Sequence, residues 1–276
     1  MISGYHLSGL SLHDPATAIG ELAHLGYAAV AIRPHAAYFH PDVAGFSQHL
    51  LRISDAIDRH SMRLVIDLDG LYLHDVYSPR GPSLIAADAS VCGSARIWIE
   101  RWVGIADEIN AGMLTFSVGQ GEASAFVSDE EDLERLSEHL KQVIAQTDGS
   151  RVSMGIRPTH GDVIGSVAQF ERLQHWMGEQ NERLGLAADV GEMLAAGEMP
   201  ISDRLARNLS ALRCVYLCDR QSGAPDDQRI GQGEVVLSRI VHSLRTGGYK
   251  GTAIVRVEGH SAEGLVPAQE ALEVFD

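Results

Sequence analysis

Eight short apolar runs, separated by stretches with helical periodicity, succeed one another along the 276 residues. No other feature restricts the fold as much. The runs fall at 5–8, 28–33, 64–69, 113–118, 152–157, 184–189, 214–219 and 252–258, and helices are expected at 15–25, 43–60, 96–109, 129–146, 163–181, 202–208 and 235–246. Strand-then-helix repetition favours a parallel sheet with helices outside it. Eight such units in a chain of this length fit a single α/β domain over 1–276, a (β/α)8 barrel. Local signals agree: Ser128 precedes Asp129, Glu130 and Glu131 as a helix start, and Gly247-Gly248 follows Arg245 as a stop. An open doubly wound sheet would usually carry a glycine-rich phosphate turn after its first strand, and Ser8-Gly9-Leu10-Ser11 does not supply one.

Strand parity locates the candidate site. One face of a barrel strand meets the helices and the other points inward. With Val30 and Ile32 outward, Arg33 points in; with Leu64, Ile66 and Leu68 outward, Asp67 and Asp69 point in. Thr115 and Ser117 turn inward on the fourth strand, Arg157 on the fifth, Asp189 on the sixth, and Arg256 and Glu258 on the eighth. These polar residues collect at the strands' C-terminal ends, where barrels place their active sites.

Composition narrows the function. Lys+Arg 22 against Asp+Glu 37 gives a net charge of −15, which offers nothing for a phosphate backbone or an anionic lipid surface. No nucleic-acid or membrane partner is expected. No window approaches the length of apolar sequence that a membrane span needs. Residues 1–14 lack a basic region and a long apolar core, so they do not read as a secretory leader. The three cysteines form no metal or disulfide spacing, and a cytoplasmic setting is expected.

Four stretches carry a family resemblance. They are the run 21–32, ending Leu25-Gly26-Tyr27-Ala28-Ala29-Val30-Ala31-Ile32; Asp189-Val190-Gly191-Glu192; Tyr216-Leu217-Cys218-Asp219; and Gly231-Gln232-Gly233-Glu234-Val235 followed by Gly248-Tyr249-Lys250-Gly251. In order and spacing the chain resembles the sugar-phosphate isomerase/epimerase superfamily, the xylose-isomerase-like TIM barrels. That resemblance implies a divalent metal held by a strand-five Glu, an Asp, a His and a strand-eight Glu. Carried over one at a time, the first falls on Arg157, the Asp is kept as Asp189, the His falls on Tyr216, and the last Glu falls on Arg256. A guanidinium has no lone pair to donate and stays protonated. No resident cofactor is therefore expected, and a divalent metal only through relocated ligands among Asp67, Asp69, Asp189, Glu192, Glu258 and His160.

The resemblance further implies proton transfer beside a carbonyl of a small polyhydroxylated compound. In that reading Asp189 or Glu192 is the base and Tyr216 or His160 the second proton donor. Arg33, Asp67, Asp69, Arg157, Arg256 and Glu258 hold the ligand. The alternative is a non-catalytic barrel binding an anionic or carbohydrate-like small molecule, and pairing into a homo-oligomer is in keeping with the family. The stretch 69–84, with Gly70, Pro79, Gly81 and Pro82, is long for a connection and is expected to form a loop over the mouth, with Arg80 either toward the ligand or on a surface arm that mediates oligomer contacts.

Overall fold

Eight parallel strands close into a barrel in strict chain order, β1 through β8 and back to β1. The computed structural model describes residues 1–121, 129–178, 183–221 and 227–276. The strands are β1 (Ile2–His6), β2 (Ala29–Ile32), β3 (Arg63–Asp67), β4 (Met113–Phe116), β5 (Ser153–Ile156), β6 (Leu184–Asp189), β7 (Leu212–Leu217) and β8 (Thr252–Val255). The helices are α1 (Pro15–Leu25), α2 (Phe46–His60), α3 (Ala89–Glu108), α4 (Asp129–Gln146), α5 (Val167–Met177), α6 (Val190–Ala195), α7 (Ile201–Arg207), α8 (Leu237–Thr246) and α9 (Val266–Ala271).

Two apolar layers follow from the strand alternation. Val30, Ile32, Leu64, Ile66, Leu114, Phe116, Met154, Ile156, Leu186, Val215 and Val255 face the helices and join one large core with Trp102, Leu136 and Phe170. Burying each such side chain contributes roughly 1.5–3 kcal/mol. The opposite parity makes a smaller inner cluster of Ala29, Ala31, Val65, Ala187, Cys214, Tyr216, Cys218 and Ile254. Small residues dominate it because the barrel is narrow: a Cβ on Gly155 would lie 2.9 Å from that of Ala187. Tyr216 is the one large ring in this plug, and the polar mouth is built above it.

Helix starts are fixed locally. Asp14 accepts from Thr17 N–H at 3.0 Å ahead of Pro15, and Gly26, at φ 108°, stops α1. Asp88 caps α3 and Ser166 caps α5. The cap proposed at Ser128, and the end of the helix expected over 163–181, lie outside the described residues.

Several boundaries differ from the sequence reading. β1 begins at Ile2 rather than at Tyr5, and α3 starts at Ala89, seven residues early, under the Asp88 cap. Arg33, Asp69, Arg157, Asp219, Arg256 and Glu258 lie just past their strands. The ladder runs one step further through Leu68 N–H to Thr115 O, Arg157 N–H to Phe116 O and Arg256 N–H to Leu217 O, at 2.8, 2.8 and 3.1 Å. Beyond that the side chains pair across the mouth, and the backbone leaves the sheet. α6 and α9 are six residues each, too short to show helical periodicity.

Candidate active site at the barrel mouth

The sides of β1, β3, β4 and β5 form one polar cluster. Asp67 ends β3 fully buried. Its Oδ2 receives Arg157 Nη1–H at 3.0 Å and lies 3.1 Å from His6 Nε2, with Thr115 Oγ1 3.4 Å from Oδ1. Ser8 N–H donates to His6 Nδ1 at 3.0 Å, which leaves the ring proton on Nε2 and aims it at Asp67. Burial lowers the His6 pKa to about 4, so the ring is neutral at pH 7. Burial alone would raise the Asp67 pKa, but Arg157 and the His6 hydrogen bond outweigh it and hold the carboxyl well below its usual range. Asp69 completes the clasp: it pairs with Arg157 Nη2 and accepts from Ser117 Oγ–H and N–H at 2.8 and 3.1 Å.

Across the mouth, β6, β7 and β8 make a second cluster. Asp189 closes β6 and caps α6, with Oδ1 accepting from Gly191 and Glu192 N–H at 3.0 and 3.1 Å. Its Oδ2 lies 2.8 Å from Arg256 Nη1 without an aligned hydrogen bond. Arg256 Nε donates to Asp227 Oδ2 at 3.0 Å and lies 3.5 Å from Glu258 Oε1. Glu258 also receives Arg33 Nη2–H at 2.6 Å. Burial pushes the Glu258 pKa up, yet Arg33 and Arg256 bring it down to about 2. Asp189 is likewise lowered, Arg256 and Arg157 overcoming its burial, whereas burial leaves Asp227 raised.

Tyr216 stands between the clusters. Arg157 Cζ is 5.3 Å and Arg256 Cζ 6.0 Å from its ring centroid, within cation–π range. Its hydroxyl is 2.6 Å from Thr115 Oγ1, and burial holds the phenol well above its usual pKa. Glu192 sits at the rim, accepting from the His160 backbone N–H at 2.8 Å and lying 3.4 Å from Arg220 Nη1.

The structure thus brings Arg33, Asp67, Asp69, Arg157, Asp189, Tyr216, Arg256 and Glu258 together, with Glu192 and His160 at the edge. Of these, His160 reaches the others through its backbone. Four participants escaped the sequence reading. His6 lies on β1, whose parity points it inward to Asp67. Arg220 and Asp227 follow β7 on a loop without periodicity. Asp162, buried after β5, accepts from Gly119 N–H at 3.2 Å and lies 3.8 Å from Arg80. Burial and the charge of Asp69 push its pKa up to about 6. Arg80 therefore turns to Asp162 rather than standing free over the mouth.

A family profile described as Xylose isomerase-like TIM barrel matches residues 19–276. The chain belongs to the xylose isomerase-like TIM barrel family. No curated protein sequence matches it. Solved structures of similar fold include D-psicose 3-epimerase with D-tagatose from Clostridium cellulolyticum H10, at 13% identity and TM-score 0.76, covering 100% of this chain and 98% of that one. Another is the 3-keto-D-glucoside 4-epimerase YcjR from E. coli, at 15% identity and TM-score 0.71, covering 98% of each. A third, the IolI protein with a bound zinc atom, has 12% identity and TM-score 0.74, covering 100% and 95%.

The residues here do not fit the divalent metal that the xylose isomerase-like pattern implies. Two of the four matching positions are guanidiniums, and both are held charged, Asp67 and Asp189 overcoming their burial. A third is a phenol engaged with Thr115. Among the described residues no three His, Cys, Asp or Glu side chains stand together as a metal set. The carboxylates of the relocated set turn instead to arginines: Asp67 and Asp69 to Arg157, Asp189 to Arg256, Glu258 to Arg33 and Glu192 to Arg220. Two guanidiniums in a site of low polarity would repel a cation.

Proposed function

We propose that the chain is a sugar isomerase/epimerase-like enzyme that acts on a small polyhydroxylated carbonyl compound, with fixed guanidiniums where relatives would use a cation. The observation that carries this reading is the placement of Arg157 and Arg256 within 5.3 and 6.0 Å of the Tyr216 ring centroid, each anchored by carboxylates in the mouth. Anchored donors need no reorganisation when charge builds on a substrate oxygen. The sugar epimerases of the same fold favour the substrate class. The absence of a helix long and apolar enough to cross a membrane among the described residues, and three buried free cysteines, agree with a cytoplasmic setting.

In the proposed step a carboxylate takes the proton from the carbon beside the carbonyl. The C–H electron pair becomes the enediolate double bond, and the carbonyl oxygen takes up negative charge facing Arg157 or Arg256. The proton then returns to carbon from the other side or to the neighbouring carbon. Asp189 is a weak proton acceptor in this scheme, because its pKa is lowered and it caps α6. Glu192, half-buried at the rim, is the base, and Tyr216, a phenol that stays protonated, is the hydrogen-bond donor to the substrate oxygen.

The test is deuterium exchange into a panel of keto sugars in D2O, followed by NMR with and without chelator. Exchange beside the carbonyl should survive EDTA and fall about 100-fold or more in Glu192→Gln. Exchange that requires an added divalent ion contradicts the proposal, and saturable binding without exchange assigns the barrel to a binding role.

A further inference from the structure

Two side chains fasten the long connection after β3. Its middle, 70–82, follows Asp69, which pairs with Arg157, and ends before Ser83, whose hydroxyl donates to Gln120 O at 2.9 Å. In between, the backbone bonds are its own: Tyr72 N–H to Pro79 O at 3.0 Å and Tyr77 N–H to Asp75 Oδ1 at 2.9 Å. Its large side chains do not pin it, since Leu71, Tyr72, Val76 and Tyr77 are exposed, Tyr77 at 91%. Among the described residues, its polar and ring contacts with the rest of the chain come from His74 and Arg80. His74 meets Trp98 of α3 edge-on, with ring centroids 4.4 Å apart, and Trp98 is also stacked by His40 from the loop after β2. Arg80 lies 3.8 Å from Asp162, on the loop after β5. The segment therefore crosses the ends of β3 and β4 between these two fastenings.

Both fastenings respond to acid in the same direction. Partial burial lowers the His74 pKa, and His40, 6.2 Å away, lowers it further, with Asp42 pulling the other way. Burial likewise lowers His40, against Asp42 and together with Arg101, which holds Asp42 at 2.8 Å. A ring whose pKa is lowered in place supports that arrangement fully above the usual 6.5 and gives up the support as pH falls below it. At the far end, burial and Asp69 raise the Asp162 pKa to about 6, and Arg80 draws it down. The hydrogen bonds of Asp162 to Gly119 N–H and to Ser117 come from the end of β4, outside the segment. Protonation of Asp162 therefore removes the charge that holds Arg80 and leaves Asp162 in place.

We propose that residues 70–82 form a strap over the ends of β3 and β4 that releases Trp98 and Asp162 together when the solution is acidified. Neutral rings and an ionised Asp162 hold it down. A charged His74 moves into water, and a neutral Asp162 frees Arg80. The two ends stay fixed, Asp69 by Ser117 and Ser83 by Gln120, so release widens the approach to the half of the mouth that holds Arg157. The consequence for a ligand rests on the mouth being the ligand site, as the proposed function has it; the motion itself does not.

The experiment follows acrylamide quenching of Trp98 fluorescence in the full chain from pH 8 to pH 5, the Trp98 signal being the difference between the protein and Trp98→Phe. Collisional quenching reports access to the indole, which separates release of His74 from direct quenching by a charged imidazole. The quenching constant should rise reversibly by about twofold or more on acidification, while the far-ultraviolet circular dichroism of the barrel stays unchanged. Arg80→Gln weakens the far fastening at every pH and should move the midpoint up by about half a pH unit or more. His74→Phe keeps a ring on Trp98 that cannot take a charge and should move it down by about as much. A quenching constant that stays level, a midpoint that neither variant moves, or loss of the barrel's ellipticity over the same range overturns the inference. The readout uses no substrate. Failure of deuterium exchange at every pH removes the enzymatic reading and leaves the strap, whereas a level quenching constant removes the strap and leaves the enzymatic reading.

Discussion

The two arginines at the mouth occupy corresponding ends of their strands and are about equally buried, but their surroundings differ. Arg157 sits in a closed half. Its aligned bond to Asp67 is backed by His6 and Thr115, and Asp69 is held in turn by Ser117. Arg256 sits in a looser half: among the described residues it makes one aligned bond, to Asp227, and Asp189 and Asp227 each keep an oxygen without an aligned hydrogen bond. The first half ties β1, β3, β4 and β5 together through carboxylates that further donors back, although Arg157 Nε itself has no hydrogen-bond partner among the described residues. The second is less tightly joined: among the described residues, Asp189 Oδ2 and Asp227 Oδ1 lie against the guanidiniums of Arg256 and Arg220 without an aligned hydrogen bond. The difference lies in how many donors back each carboxylate and not in how deeply each arginine is buried.

Arg157→Met should have the largest effect. It strands Asp67 and Asp69 in the interior, and loss of one partner of a buried pair costs about 3–5 kcal/mol. Urea denaturation at pH 7 measures it. Arg256→Met should cost less, about 2–3 kcal/mol, because Asp189 keeps two backbone N–H donors and Asp227 can take up a proton. The reverse order would erase the distinction between the halves.

Asp162→Asn should stabilise the fold, by an amount that grows as pH rises from about 4 and is complete above pH 6. The folded pKa of about 6 lies above the unfolded value near 3.8. Folding therefore takes up a proton between these values, and the ionised group weighs against the fold fully above pH 6. The variant should gain about 1–2 kcal/mol at pH 8 and nearly nothing at pH 4. His6 works the other way. Its folded pKa of about 4 lies below the usual 6.5, so its contribution is complete above pH 6.5 and is lost as pH falls toward 4.

Glu258→Gln should be the smallest change, under about 1 kcal/mol, since its side chain is 37% exposed and its pairs are partly screened. With a folded pKa of about 2 against 4.5, the wild-type contribution is present above pH 4.5 and fades as pH falls toward 2. Acid titration of stability in the two proteins should converge over that window.

The barrel was legible in the sequence because strand alternation is local: the outward Val30, Leu64, Leu114, Ile156 and Val255 and the inward Ala31, Val65, Tyr216 and Ile254 fall into the two layers that parity predicts. The convergence of Arg157, Asp189, Tyr216 and Arg256 was legible from motif spacing. The pairings were not. Arg157 selects Asp67 and Asp69, some 90 positions away, and no periodicity encodes that choice. Asp162, Arg220 and Asp227 stand on irregular loops, where their burial depends on how neighbouring loops fold over them. The short α6 was missed, although Asp189-Val190-Gly191-Glu192 carries its cap, because the same Asp189 was read only as a site residue.

The central claim is that anchored guanidiniums stand where a divalent cation would sit in the family pattern. An anomalous difference map from crystals of the unmodified protein soaked in Mn2+, collected at the manganese edge, tests it directly. The account predicts no manganese peak between Arg157, Asp189, Tyr216 and Arg256, with guanidinium density paired to Asp67 and Asp189. A manganese peak ligated by Asp189 at that point, with Arg157 and Arg256 swung away, would contradict it.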